Sequence, residues 1–256
     1  MIPKFFFFPI MIAFMGLGIQ RSCAQDQKDS SARTYKNVVR YNLSGPLLFG
    51  FDKYIILGYE RVLSPKKSIS VNFGRAALPR IISLITDSFQ TDREGKRKGY
   101  NVSLDYRFYL SKENKFEAPR GLYIGPYYSY NHFENEKQWM RNNSRGSNEI
   151  TTTTNFNIHT FGFELGYQLM LWKRLSLDMV MIGPGLGFYK YEASFTGSTS
   201  LSSGDKEQLL DALEQLLVQK FPGMNYVFSD KKFNADGVLK TSALSYRYIL
   251  HIGYAF

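Results

Sequence analysis

From Lys98 to Leu110 the side chains alternate without a break. Tyr100, Val102, Leu104, Tyr106, Phe108 and Leu110 form one set, and Asn101, Ser103, Asp105, Arg107 and Tyr109 form the other. A strand sends successive side chains to opposite faces, so these two sets meet different surroundings. A helix would scatter both sets around its circumference. The same alternation ends the chain: Tyr246, Tyr248, Leu250, Ile252, Tyr254 and Phe256 are apolar or aromatic, with Ser245, Arg247, His251, Gly253 and Ala255 between them. A soluble strand gives no reason for that run to finish on Phe256. An antiparallel barrel with lipid outside and a lumen inside does.

Six further segments carry the period. Val39, Tyr41 and Leu43 oppose Arg40 and Asn42; Ile55, Leu57 and Tyr59 oppose Gly58 and Glu60; Ile69, Val71 and Phe73 oppose Ser70, Asn72 and Gly74. Leu122, Ile124, Tyr128 and Tyr130 oppose Gly125, Ser129 and Asn131. Phe161 to Leu171 opposes Gly162, Glu164, Gly166 and Gln168, and Leu175 to Met181 opposes Ser176 and Asp178. After Gly183-Pro184-Gly185 the outward parity passes to Leu186 and Phe188, which one bulged residue explains. The reading is all-β: an eight-stranded antiparallel transmembrane β-barrel over residues 37–256. Short links fall near Ser64–Lys67, Ser111–Arg120 and Trp172–Arg174. Longer outer links fall near Gly45–Lys53, Leu78–Arg97, Phe133–Thr153 and Glu192–Thr241. One short helix, Asp205–Lys220, is expected in the last extracellular loop, capped by Asp205 with Gln208 three residues on. Leu209, Leu210, Leu213, Leu216 and Leu217 are its apolar stripe. It could lie on the membrane surface, fold over the barrel mouth or bind a partner.

Residues 1–25 read as a signal peptide. Lys4 precedes the apolar run Phe5–Ile19, and Ser22-Cys23-Ala24-Gln25 supplies small residues for cleavage. A membrane anchor would need a longer run, and Pro9 and two glycines interrupt this one. Acylation of Cys23 is disfavoured by the preceding Gln20-Arg21-Ser22. Residues 26–36 are a polar periplasmic stretch. Cys23 is the only cysteine, so a chain cleaved beyond it carries no disulfide and no cysteine zinc site. The formal charge is +10, and loss of Lys4 and Arg21 leaves roughly +8. Nucleic acid is not an expected partner of an exported chain. Outer-membrane lipid and lipopolysaccharide are better-placed counter-charges, alongside the barrel-assembly machinery during insertion, and the barrel is expected to be a monomer.

Parity also fills the lumen. Arg40, Glu60, Asp105, Arg107, Glu164, Asp178 and Arg247 all fall on the inward face. An eight-stranded barrel is just wide enough for its own side chains, and buried charges are tolerable only when paired and hydrogen-bonded. A lumen charge network that plugs the tube is expected, with a narrow passive channel as the rival. Inward glycines such as Gly58, Gly74, Gly125, Gly162 and Gly166 are expected to make room for arginine or tyrosine. Outward Tyr59, Tyr106, Phe108, Trp172, Tyr254 and Phe256 form one aromatic girdle. Tyr100, Tyr128, Tyr130, Phe188, Tyr246 and Tyr248 form the other. Tyr248, Leu250, Ile252, Tyr254 and Phe256 read as a C-terminal insertion signal.

Asn37–Leu43, Gly58-Tyr59-Glu60-Arg61, Gly166–Leu177 and Tyr254–Phe256, taken in order, resemble a family of small outer-membrane β-barrel proteins of unknown function, with OmpX/OmpA-type architecture. The resemblance implies fold and an outer-membrane location and brings no catalytic residues. The long last loop with its helix departs from the simplest such barrels.

Catalysis would need a nucleophile or base at a lipid-accessible rim. Of the three histidines, His132 sits at an outer strand end with nearby Ser129 on the opposite parity. His159 is expected in the lumen or at its mouth, and His251 points inward. No metal or cofactor pattern is present, and no phosphate loop follows a strand. The leading expectation is a non-enzymatic barrel presenting extracellular loops for envelope support or surface interaction. The rivals are a lipid A-modifying acyltransferase or deacylase and, less favoured, a soluble lipid-carrying barrel with an apolar interior.

Overall fold

The computed structural model describes residues 35–77, 89–110, 112, 114, 116–141, 148–197, 203–220, 227 and 237–256. The expected signal peptide, residues 1–25, lies outside them. Eight strands follow one another: β1 (Asn37–Asn42), β2 (Tyr54–Ser64), β3 (Lys67–Ala76), β4 (Phe89–Tyr109), β5 (Gly121–Arg141), β6 (Asn148–Leu171), β7 (Leu175–Gly197) and β8 (Val238–Ala255). Each pairs antiparallel with its neighbour, and β1 closes the ring on β8, with Val38 opposite Ala255 and Asn42 opposite His251. Closure leaves no sheet edge at this level.

The links define two ends. At the turn end, β6 and β7 are joined by Trp172–Arg174, where Trp172 and Lys173 take left-handed backbone at φ 45° and 72°. Paired left-handed residues match the twist of the flanking strands in a tight hairpin. The hydroxyls of Tyr254 and Tyr35 lie 2.5 and 3.2 Å from the Arg174 guanidinium and hold it above its ordinary value. The β4–β5 link folds beneath the ring: the Ala118 amide donates to Pro65 O (2.8 Å), and Ala118 is buried with Val62, Tyr109 and Tyr123.

At the loop end the strands run much further than the alternation indicates. β4 begins at Phe89 instead of near Lys98, β5 and β6 reach Arg141 and Asn148, and β7 and β8 reach Gly197 and Val238. These strands are 21, 21, 24, 23 and 18 residues long. The contrast between faces disappears where both faces are polar, as in Thr151–Thr154, yet the ladder continues residue for residue from Phe133↔Phe156 to Arg141↔Asn148. β1, β2 and β3 stop at Asn42, Tyr54 and Ala76, so the wall is tall on one side and short on the other.

Two helices are described. α1 (Ser44–Phe49) was not expected; it stands where β1 ends, and the Ser44 hydroxyl accepts from the Leu250 amide at 2.7 Å. α2 (Ser203–Lys220) begins two residues ahead of Asp205, which therefore lies within its first turn. The β7 bulge exists but sits just upstream of Gly183. Val180 pairs with Ile249 and Gly183 with Arg247, so one extra residue lies between them, and Met181 is the surplus opposite β6.

Candidate functional site

The inward faces carry three stacked layers. In the lowest, Ala118 of the β4–β5 link is buried with Val62, Tyr109 and Tyr123. Above it lies a continuous ionic network. Arg40 reaches Asp178 (2.8 Å), Asp105 (3.4 Å) and Glu60 (3.7 Å). Arg107 reaches Asp178 (2.9 Å), Glu164 (3.4 Å) and Glu60 (3.6 Å). Arg247 bridges Asp105 and Glu164. All seven charged residues singled out by parity thus share one cluster, and every one of these carboxylates touches an arginine. All but Arg247 are fully buried.

Neutral groups add hydrogen bonds to the ion pairs. The Tyr123 hydroxyl donates to Asp178 at 2.6 Å, the Tyr109 hydroxyl to Glu60 at 2.9 Å and the Ser68 hydroxyl to Glu60 at 2.6 Å. The Asn72 amide donates to Asp105 at 3.1 Å. The Arg107 guanidinium lies 4.3 Å from the Tyr123 ring centre, and that of Arg247 lies 3.7 Å from the Tyr127 ring centre. Ion pairs in a low-dielectric interior persist when further hydrogen bonds satisfy their remaining polar atoms. Tyr123 and Tyr127 were missed in the sequence although both share the parity of Gly125. Tyrosine fits either face of a barrel strand, so its type alone did not mark them.

The glycines divide. A Cβ at Gly58 would meet Arg40 at 2.8 Å, and one at Gly166 would run into the Tyr123 ring and hydroxyl, so these two do make room for side chains. At Gly74 and Gly125 the obstacle is backbone, of Ile55 and Tyr106. Those two permit close strand approach and do not accommodate an arginine or tyrosine.

The third layer, at the loop end, is mainly apolar, with Lys137 and Thr152 buried in the same wall. Phe133, Ile150, Phe156, Tyr189, Tyr191 and Leu239 point inward and bury Leu209 and Leu213 of α2 among them. The helix therefore covers the mouth with Leu209, Leu210 and Leu213, one of its three expected placements. The arginine–carboxylate pairs lie in the middle of the interior; the mainly apolar compartment above it, which also buries Lys137 and Thr152, was not anticipated.

Outside, the pattern inverts. Ile55, Leu57, Phe73, Leu104, Phe161, Phe163, Leu186, Leu244, Tyr246 and Ile252 are among the large apolar side chains left exposed, and Trp172 is the most exposed at 87%. This belt has a sharp upper border. No large apolar residue is exposed beyond Phe161 on β6, Phe188 on β7 or Leu244 on β8 among the described residues. Tyr246 and Tyr248 lie below Leu244, inside the belt and not at its rim, because β8 continues upward to Val238.

The histidines separate as well. His251 is buried, 3.4 Å from Asp178. His132 contacts Asn157 Oδ1 at 2.8 Å. His159 is on the outer face, exposed, not lumenal; its Nδ1 meets the Tyr128 hydroxyl at 2.9 Å and its ring stacks on Tyr130 at 4.6 Å. It shares the odd parity of Phe161, which fixes it outward. No group of three or more His, Cys, Asp or Glu side chains suited to a metal occurs among the described residues.

Neither a protein-family model nor a curated protein matches the sequence. Among solved structures, a major outer membrane protein from Thermus thermophilus is similar at a TM-score of 0.33 and 14% identity. The match covers 87% of this chain and 100% of that one.

Proposed function

We propose that this chain is an outer-membrane barrel with a filled lumen, exported by a cleaved signal peptide, whose loop end faces outward for surface interaction or envelope support. The observation that carries the reading is the inversion of the usual pattern: arginines and carboxylates inside, a continuous belt of leucine, phenylalanine and tyrosine outside. Soluble monomers rarely expose contiguous apolar patches beyond a few hundred Å². On β8 the belt runs from Leu244 to Phe256, which at about 3.3 Å per residue and a tilt near 45° is about 28 Å, close to the apolar band of such barrels.

The protein acts as a non-enzymatic scaffold in this reading. Three observations support that: the histidines take Asn157, the Tyr128 hydroxyl and Asp178 as polar partners; the four lumen carboxylates pair with arginines; and Ser129 accepts from Asn101. Its surroundings would be outer-membrane lipid and lipopolysaccharide, and the outward face Tyr248, Leu250, Ile252, Tyr254 and Phe256 of β8 would be the signal read by the assembly machinery. Cell fractionation with a heat-modifiability gel tests the assignment. The protein should sediment with the outer membrane and change its migration on boiling. Steady recovery in the soluble fraction would overturn it.

A further inference from the structure

A groove of ≈ 590 Å³ crosses the outside of β6, β7 and β8 just above the apolar belt, lined by Asn157, His159, Phe188, Lys190, Lys240 and Ser242. The strand register explains its composition in three successive outward rows. Phe161, Leu186 and Leu244 form the last fully apolar row. His159, Phe188 and Ser242 form the next, and Asn157, Lys190 and Lys240 the one above. The surface thus passes from hydrocarbon-like, through aromatic and hydroxyl, to cationic within four residues of each strand.

Lys190 and Lys240 are direct cross-strand partners. Like charges placed opposite each other on one face destabilise a sheet pair. Among the described residues one carboxylate pairs with them: Glu192 is 2.8 Å from the Lys190 ammonium and lines the adjoining ≈ 420 Å³ continuation of the groove with Lys190, Val238 and Lys240. Two ammonium groups against one carboxylate leave positive charge, beside hydroxyl, amide and imidazole groups. Phosphate oxygens are met by that set of donors. The height is also that of a headgroup, because the rows lie immediately past the border of the belt.

We propose that this groove binds the phosphate of an anionic lipid headgroup, with Lys190 and Lys240 as its cationic contacts and Phe188 bordering the acyl region. This rests on the membrane reading above and names a partner for one face of the barrel.

The test is native mass spectrometry of the full protein in detergent, titrated separately with bisphosphorylated lipid A, fully dephosphorylated lipid A, phosphatidylcholine and inorganic phosphate. The wild type should prefer the phosphorylated lipid, and the Lys190→Gln/Lys240→Gln double variant should bind it about tenfold more weakly, the scale of losing charge-assisted contacts. Lys190→Arg/Lys240→Arg should retain binding. Lys66→Gln, which removes one charge at the turn end, should change nothing. Heat modifiability of each variant reports the folded barrel independently, so a wild type that migrates identically before and after boiling would count against the membrane reading instead. Equal binding by the double glutamine variant, or no preference for phosphate, would overturn the site. Saturation by inorganic phosphate at the concentration that lipid requires would overturn the lipid assignment.

Discussion

Asp178 concentrates the interior's energetics in one side chain. It accepts from Arg40 at 2.8 Å and from the Tyr123 hydroxyl at 2.6 Å, and pairs with the Arg107 guanidinium at 2.9 Å. Removing one partner of a buried pair leaves the other charge uncompensated, which costs about 3–5 kcal/mol. Asp178→Ala should therefore destabilise the folded, fast-migrating form by a free energy of that order, read as a lower urea midpoint at unchanged slope, because two arginines lose a counter-charge together. A midpoint equal to wild type would show that the arginines do not depend on Asp178. The same logic explains why these seven residues were legible from sequence. Charge on the parity opposite leucine and tyrosine has one place to go in a narrow closed ring, and only mutual pairing makes it tolerable there. His159 shows the limit at this scale. Its parity with Phe161 was in plain view, but a histidine is expected to prefer polar surroundings, and that expectation placed it inside. Its ring is instead accommodated outside by Tyr128 and Tyr130.

Elements were readable in proportion to the contrast between their two faces. β8 below Leu244 keeps its large aromatic and aliphatic side chains on one parity, broken on the other only by Ile249, and its register was clear. The upper reaches of β5 and β6 pair polar residue with polar residue, Asn135 with Thr154 and Lys137 with Thr152. The period is lost there although the backbone ladder is not. α2 was visible from its leucine spacing, whereas its destination was not, because a stripe specifies only that some apolar surface covers it. The inward Phe156, Tyr191 and Leu239 supply that surface. Leu213→Asp should then expel the helix: an unpaired carboxylate in an apolar compartment costs far more than it gains. Limited proteolysis followed by mass spectrometry should show new cleavage within residues 203–220, while the barrel stays heat-modifiable, since the network lies below this layer and shares none of its contacts. An unchanged cleavage pattern would mean that Leu213 does not hold the helix in place.

At the scale of the whole molecule, the question is what can pass through the ring. An aqueous channel needs a barrel with many more strands; with eight, the side chains occupy the bore. Here they do so three times over. The folded β4–β5 link lies at the turn end, arginine–carboxylate pairs lie across the middle, and α2 with its apolar bed lies at the loop end. The layers block in different ways. An ion would meet tightly paired charges in the middle and a mainly apolar layer above, and displacing one obstruction leaves the others in place. Planar bilayers containing the purified protein should therefore show no steady conductance. Leu213→Asp should still show none, because the helix is not the only stopper. A steady, large conductance in the wild type would refute a filled lumen. A conductance that appears only in Leu213→Asp would place the whole barrier in the helix and make the ionic layer a wet, permeable path.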